Sequence, residues 1–355
     1  MSSYRASVPV PVFEILINGS ALPVKAAAHV VEVSVEEDTE LPDMFSLEIV
    51  ASDDLEDEFE WVDNADLFAV GNVVEVKLGY AEQLTSVFKG EVTGLEPSFN
   101  AERMPTLVVR GYDRRHRLTR GRQTRSFLKK KDSDIAAQIA REAGLTAKVT
   151  DSKVMHDYIL QANQTDYEFL IERASRINYE VVVEDKTLNF HPVANNKGEA
   201  ITLTAHADLV EFNPRLSSAG QVSDVVVRGW DPKNKKEIVG KAKAGDEVSS
   251  MGGKQAGGSL SKKAFGAATE LSSSLPVMTQ AEADQIAVAR FNSISLELIT
   301  GDALCSGRTD LRPGKVVKVA GVGKRFGGQY YVTAVTHVYR PDGYSTRFSF
   351  RRNAF

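Results

Sequence analysis

GNVVEVK, residues 71–77, decides how this chain is read, because a close copy, GKVVKV, stands at residues 314–319. Each copy opens on a glycine and alternates apolar with polar side chains, as a half-buried strand does. Each is followed by a glycine turn and a longer strand that begins near a phenylalanine and a glycine: VFKGEVTGLEP from Val87 and RFGGQYYVTAVTHVY from Arg325. After each comes one further strand, PTLVVRGYDR from Pro105 and YSTRFSFRR from Tyr344. The recurrence predicts two copies of one β fold, widely separated in the chain.

Around the first copy, VFEILI with a short partner near Asn18 and Gly19, then HVVEVSVEE and FSLEIVAS, give seven or so short strands, which suggests a barrel or sandwich. The period changes at Asp132. In KDSDIAAQIAREAGL, Ile135, Ile139 and Glu142 keep helical spacing and Gly144 supplies a left-handed stop. A second helix follows a T-x-x-E capping box at Thr165 and Glu168, with Tyr167, Leu170, Ile171, Ala174 and Ile177 as its apolar stripe, and it runs into a hairpin turning at Asp185 and Lys186. Strands resume at Ile201, and SDVVVRGW breaks at Asp231 and Pro232. The Gly, Ser, Lys and Ala-rich stretch from Ala242 to Ser274 has little apolar period and reads as loop, in part mobile. A third helix opens at a second box, Thr279 to Glu282, and carries Ile286, Ala289, Arg290 and Ile294.

Composition excludes several function classes. With 355 residues the chain is long enough for more than one core, and 43 basic against 48 acidic side chains give a net charge of -5, so no global field favours nucleic acid or an acidic membrane. A single cysteine, Cys305, rules out a disulfide framework and a cysteine zinc cage, and reads as a small buried apolar residue. The N-terminal stretch MSSYRASVPVPVFEILING has no apolar run of signal-peptide or membrane-span length, so synthesis and folding in the cytosol are expected. The six histidines include no i, i+4 pair, GVGKRFGG (321–328) precedes a strand and reads as a hairpin turn, and no G-x-S-x-G is present. Asp166, Glu168 and Glu172 serve the dipole of the second helix, and DDLEDEFEW (53–61) reads as a solvated acidic loop. Arg114, Arg115, Arg117, Arg120, Arg122, Arg125, Lys129, Lys130 and Lys131 crowd one segment. Only Tyr112 and Phe127 lie near them as aromatics, which favours a solvated or partner-facing surface over a nucleic-acid groove. No catalytic, metal or cofactor residue is expected.

Taken in order, GYDRRHRL (111–118), DSDIAAQIAREAGL (132–145), QTDYEFLIERASRINYEVVVEDKTLNFHP (164–192), VVVRGWDP (225–232), LRPGKVVKV (311–319) and YYVTAVTHVY (330–339) resemble the phage late control protein D and VgrG family, the central hubs of contractile tails and injection systems. The resemblance spans nearly the whole chain and is weakest over 242–275. It implies a mainly β fold with an α+β insertion: two tube-like antiparallel β-barrel domains, residues 1–117 and 196–355, about an α/β unit at 118–195, the second barrel holding the Gly/Ser/Lys-rich insertion and helix at about 241–297. It also implies a homotrimer that presents six similar barrels in a ring, a symmetry adaptor between a six-fold inner tube and a three-fold spike.

Under the same resemblance Gly111, Tyr112 and Asp113 form one structural motif. Asp166, Tyr167, Phe169, Leu170 and Ala174 match the family helix D-[FWY]-x-F-L-x-R-L-A, from whose R-L Glu172 and Arg173 depart. Trp230, Asp231 and Pro232 match a turn, and Pro313 and Gly314 open a strand. Val73 to Gly79 and Val316 to Ala320, with Val73, Val76, Val316 and Val319, are candidate edge strands for contact with neighbouring subunits. Implied partners are the chain itself, a spike protein or C-terminal spike domain, an inner tube protein and baseplate wedge proteins, with no nucleic acid and no membrane insertion. The product would be assembled from the bacterial cytoplasm into a phage tail, type VI secretion apparatus or other injection particle. Since the sequence stops at RRNAF (351–355), the spike would be a separate protein or lie further along a longer chain. Two other classes stay open: a tail-associated cell-wall hydrolase, which needs a carboxylate pair in a cleft, and a nucleic-acid module using Arg120, Arg122 and Arg125.

Overall fold

The computed structural model describes residues 10–51, 60–81, 83–100, 102–195, 201–272 and 276–355. In the first block, β1 (Pro11–Ile17), β2 (Ser20–Ala21), α1 (Val24–Ala28), β3 (Val30–Asp38), β4 (Met44–Val50), β5 (Val73–Tyr80), β6 (Gln83–Asn100) and β7 (Arg103–Tyr112) follow one another, and all their strand pairs are antiparallel. The alternation read from 71–77 holds: Val74, Val76 and Leu78 are fully buried, with Glu75 and Lys77 on the other face of β5. They pack with Val33, Phe45, Leu47 and Val109 in one core. Burying a side chain of this size contributes about 1.5–3 kcal/mol.

The chain then passes through a 3-10 helix, Arg114–Thr119, into β8 (Gln123–Lys131), α2 (Asp132–Glu142), β9 (Thr146–Val149), β10 (Met155–Gln164), α3 (Asp166–Ser175), β11 (Tyr179–Glu184) and β12 (Thr187–Pro192). Gly144, with φ of 73°, ends α2 and lets Leu145 N donate to Ala140 O. The capping box of α3 is complete: Thr165 Oγ1 accepts from Glu168 N at 3.1 Å and Glu168 Oε2 accepts from Thr165 N at 2.9 Å. Tyr167, Phe169, Leu170 and Ala174 enter a core separate from the first, where Phe127 stacks on Phe169.

The remainder runs β13 (Ile201–Thr204), β14 (Leu209–Leu216), β15 (Asp224–Asp231), β16 (Lys236–Lys243), α4 (Gly257–Phe265), β17 (Thr269–Ser272), α5 (Gln280–Leu296), β18 (Ile299–Ser306), β19 (Val316–Ala320), α6 (Gly323–Phe326), β20 (Gly328–Arg340) and β21 (Gly343–Arg352). Here the structure differs from expectation in two places. VVVRGW is not a barrel strand: β15, β16 and β17 form their own three-stranded sheet, with α5 packed on it through Val225, Val227, Ile238, Ala287 and Phe291. The inserted module therefore starts at Asp224, ahead of 241. The stretch 242–274, expected as loop, contains α4 and β17. Its helix packs by close approach of backbone, since a Cβ on Gly257 would stand 2.1 Å from Gln221 Oε1 and one on Gly258 2.6 Å from Val222 O. Small residues therefore occupy the places where an apolar period would be sought. Of the acidic stretch 53–61, residues 53–59 lie outside the described residues; Trp61 is buried and donates to His29 Nδ1 at 3.1 Å. Cys305 is buried, and 321–328 connects β19 to β20 in an antiparallel hairpin that includes α6.

A 13-stranded sheet joins the two β blocks. Its first half has the order β1-β5-β6-β7-β4-β3 and its second β13-β19-β20-β21-β18-β14, the same arrangement strand for strand. The halves also agree in detail. Gly71 N donates to Val92 O and Val92 N to Asn72 O; in the second half Gly314 N donates to Val332 O and Val332 N to Lys315 O, all within 2.8–2.9 Å. Gly71 and Gly314 both have positive φ, 94° and 76°. Directly after these bonds each long strand bulges, leaving Thr93 between Val92 and Gly94, and Thr333 between Val332 and Ala334. One difference is that β1 runs antiparallel to β5 whereas β13 runs parallel to β19.

The expected edge strands are not edges. β5 lies between β1 and β6, and β19 between β13 and β20, so Val76, Val316 and Val319 are buried within their own chain and Val73 sits in a paired ladder. Their covering strands come from distant sequence, Pro11–Ile17 and Ile201–Thr204, which local patterning cannot assign. Among the described residues, the unpaired edges of the large sheet include the outer side of β14 and the side of β6 opposite β7 from Thr93 to Asn100.

Candidate functional site

The basic segment after β7 resolves into a clasp. Gly111 admits no side chain, because a Cβ there would meet Glu91 O at 2.1 Å and Phe45 Cε1 at 2.4 Å. Tyr112 is half-exposed, and Asp113 caps the 3-10 helix: its Oδ1 accepts from Arg115 N at 2.7 Å and its Oδ2 from Arg115 Nε at 2.6 Å. Arg115, fully buried, also pairs with Asp43 and donates from Nη1 to Asp38 O at 3.0 Å. Burial pushes the Asp43 carboxyl up to about 7 against the pull of Arg115, with Asp113 and Glu37 adding to the rise. Glu91 on β6 gathers two arginines and a histidine: Arg114 Nε at 3.1 Å, His116 Nε2 at 3.0 Å, and Arg117 Nε at 3.0 Å. Burial opposes its charge, yet the bonds from Arg117 and His116 and the charge of Arg114 hold it down at about 2. Arg114 also pairs with Asp185 in the β11–β12 turn, and Tyr167 Oη donates to Glu40 O at 2.8 Å. The segment thus ties the first half of the sheet to the α/β unit.

Arg114 and Arg115 are therefore not the surface charges expected. Of the others, Arg122 pairs with Glu168, Arg125 with Glu142 and Asp166, and Lys131 with Asp151. Among the described residues only Arg120, Lys129 and Lys130 of the cluster lack an ion pair. The neutralising carboxylates come from several elements, so the segment read alone overstates the patch.

Three more networks occupy junctions that sequence reasoning missed. Asp132 and Arg173 pair at 2.5 Å, His156 stands between Asp132 Oδ2 at 3.3 Å and Glu282 Oε1 at 3.5 Å, and Arg176 reaches Glu282 at 3.3 Å, which fixes α5 to the α/β unit. The box at Thr279 is accordingly half-made: Thr279 Oγ1 accepts from Glu282 N, while Glu282 Oε2 accepts from Met278 N. Glu180 Oε1 accepts from Tyr331 Oη, linking β11 to β20; burial raises the Glu180 pKa. Buried His337 lies 2.9 Å from Tyr344 Oη and 3.4 Å from Glu37, and Arg312, just before Pro313 and Gly314, pairs with Glu37 at 2.5 Å. The available signal was parity: Glu37 continues the inward face of Val33 and Val35, and His337 that of Val335.

The predicted motif residues do not converge on one cleft. Gly111, Asp113 and Tyr167 meet at the clasp, Phe169 and Leu170 are core, Pro313 and Gly314 lie at the Glu37 junction, and Trp230 is exposed beyond them, with Asp231 Oδ1 accepting from Lys233 N and Asn234 N in its turn. A cavity of about 450 Å³ lined by Asp38, Asp43, Asp113, Glu184 and Arg312 is the place where paired acids could act. Asp43 and Asp113 are, however, both bound to Arg115, and Glu91, at about 2, is too acidic to donate a proton near neutral pH. Among the described residues no three His, Cys, Asp or Glu side chains are grouped to hold a metal ion, and no helix is long and apolar enough to cross a membrane.

A family model described as the Alg8 N-terminal domain matches residues 7–340. Among solved structures, the chain is similar to the 43 kDa tail protein of prophage MuSo2 from Shewanella oneidensis, with a TM-score of 0.72 at 13% identity, covering 96% of this chain and 98% of that one. The tail protein of Neisseria meningitidis MC58 gives 0.66 at 14% identity, covering 97% and 96%. The E. coli c3393 protein, described as a component of the type VI secretion system with structural similarity to the T4 tail proteins gp27 and gp5, gives 0.60 at 14% identity, covering 96% and 77%. No curated protein sequence matches the chain. At these identities the likeness is one of fold, and the fold is the mainly β tail-protein architecture expected from the motif order.

Proposed function

The chain belongs to the family of Alg8 N-terminal domains, and from its tail-protein fold we propose that it is a non-enzymatic structural hub of a contractile tail or injection-system baseplate. It acts as a homotrimer, with an inner tube protein on one face, a spike on the other and baseplate wedge proteins around it. One observation carries this reading: the equivalence of the two halves, with the edges it leaves open. Within the chain, β3 pairs with Ala334–Tyr339 of β20. Aligning the bulges makes Gly94–Phe99 of β6 the counterpart of that stretch, and β14 the counterpart of β3. Both counterparts are unpaired edges among the described residues. β14 of one copy is therefore placed to meet β6 of the next as β3 meets β20, with Pro214 and Pro97 standing where Val35 and His337 pair and so with fewer backbone bonds than the internal joint, in a head-to-tail contact that closes into a ring. Three chains supply six near-equivalent halves for a six-fold tube and three true repeats for a three-fold spike.

The purified chain should show a native mass near three times 38.8 kDa, alone or with its spike. A monomer under both conditions removes the adaptor reading. The alternative, a tail-associated cell-wall hydrolase, would use the acidic cavity beside Asp43; cell-wall cleavage by the purified chain that is lost in Asp43→Asn supports it instead.

A further inference from the structure

The outer face of β8 and β10 carries an exposed apolar surface. These two strands form a separate sheet with no third strand among the described residues. Phe127 and Ile159, opposite each other in register, point into the core of the α/β unit. Their neighbours Leu128, Tyr158 and Leu160 point outward and are 63%, 58% and 46% exposed. Met155, at the start of β10, is also exposed. The inserted module adds Trp230 and Met278, 56% and 58% exposed. The two groups flank one seam: Lys233, in the turn after Trp230, pairs with Asp157 at 2.7 Å, and Glu282 contacts both Met278 N and His156. Exposed Trp, Tyr, Met and Leu gathered at a seam between modules are the composition of a protein-binding surface.

Charge and strand geometry say what covers it. Lys129 and Lys130 lie on β8, and Lys235 and Lys236 follow Lys233 at the turn into β16; among the described residues none of the four has an ion pair, and Lys236 stands opposite Asp231 in the β15–β16 ladder. Asp157 is held below its usual range by Lys233, with Lys129 contributing. The rim is therefore basic although the whole chain has a net charge of -5. A two-stranded sheet with unpaired edges accepts an added extended strand, whose backbone bonds to an edge while alternate side chains meet the exposed face. We propose that the β8–β10 face and the adjoining Trp230 surface bind an extended, acidic segment of a different protein, its apolar side chains on Tyr158 and Leu160 and its carboxylates on the lysine rim. A second copy of this chain is the less suited occupant, because the edges equivalent to its internal joint lie on β14 and β6, in the large sheet.

The test rests on the hub reading only for the particle in which it is made. Leu160 is replaced by the photo-cross-linker benzoylphenylalanine, and particles from producing cells are irradiated. The expected product joins position 160 to a segment of another protein richer in Asp and Glu than in Lys and Arg, and Lys129→Glu with Lys130→Glu lowers its yield about tenfold while the chain still enters particles. A cross-link only to another copy, to a basic segment, or to nothing in particles that contain the chain overturns the proposal. Absence of the chain from particles removes the hub reading instead. The surface is then decided by the free chain and a fluorescein-labelled peptide of alternating Glu and Val: a salt-sensitive rise in anisotropy that Tyr158→Asp abolishes supports it, and no rise overturns it.

Discussion

Glu91→Gln tests the clasp most directly, since it keeps the side-chain shape and deletes the charge on which Arg114, His116 and Arg117 converge. The carboxyl sits at about 2 in the fold against an ordinary 4.5. That depression corresponds to about 3 kcal/mol of stabilisation at neutral pH, and because Arg117 is partly exposed and screened by water, about 2 kcal/mol is the expected loss. A lowered folded pKa means that the stabilisation is whole above the unfolded value and disappears as pH falls through the folded one. The gap between wild type and variant should therefore be full at pH 7 and fall to about half or less of that value by pH 3. Urea titration followed by Trp61 emission measures it, because Trp61 is buried in the same core as β6, whereas Trp230 is already exposed and changes little. A gap of equal size at both pH values would show that shape, not charge, sets the cost. A gap under about 0.5 kcal/mol at pH 7 would show that the three side chains around Glu91 contribute no net stability through its charge.

Arg115→Met leaves Asp43 and Asp113 buried without their cation and should cost about 3–5 kcal/mol; adding Asp43→Asn should recover part of it, measurable as a coupling energy in the same titration. Gly71→Ala and Gly314→Ala should each cost about 1–2 kcal/mol through positive φ alone, and clearly unequal costs would argue against the equivalence of the halves. Leu95→Pro, on the stretch of β6 left open after its bulge, should lower the trimer fraction at a given concentration while leaving the circular dichroism of the chain unchanged; an unaltered native mass would exclude that edge from the contact.

Much of this architecture is legible in the sequence where local physics governs it. The alternation of Val74, Val76 and Leu78, the boxed start of α3 at Thr165 and the stop of α2 at Gly144 all depend on residues a few positions apart. The repeat at Gly71 and Gly314 was legible for the same reason, since each glycine begins the same turn and strand. What local pattern does not carry is partnership between distant elements. Nothing near Val73 states that Pro11–Ile17 will cover it, and nothing near Arg114 states that Glu91 and Asp185 will neutralise it. The packing of α4 escapes for another reason, that glycine at a close backbone contact looks in sequence like glycine in a loop.

The two halves are most alike where they form the large sheet and least alike at the turns leading away from it. Between β3 and β4 the first half has only the short link 39–43, tied down by Asp38 and Asp43. At the equivalent place, between β14 and β18, the second half carries the whole inserted module with its own core. The α/β unit, likewise, follows the first half only. A ring built from these chains would thus be close to six-fold along its sheet and strictly three-fold in everything attached outside. Each attached module has its own apolar core and adds no strand to the large sheet: the α/β unit meets the sheet through directional ion pairs and hydrogen bonds, and the inserted module meets it through the small apolar cluster of Met251 and Leu296 with Val316 and Tyr331.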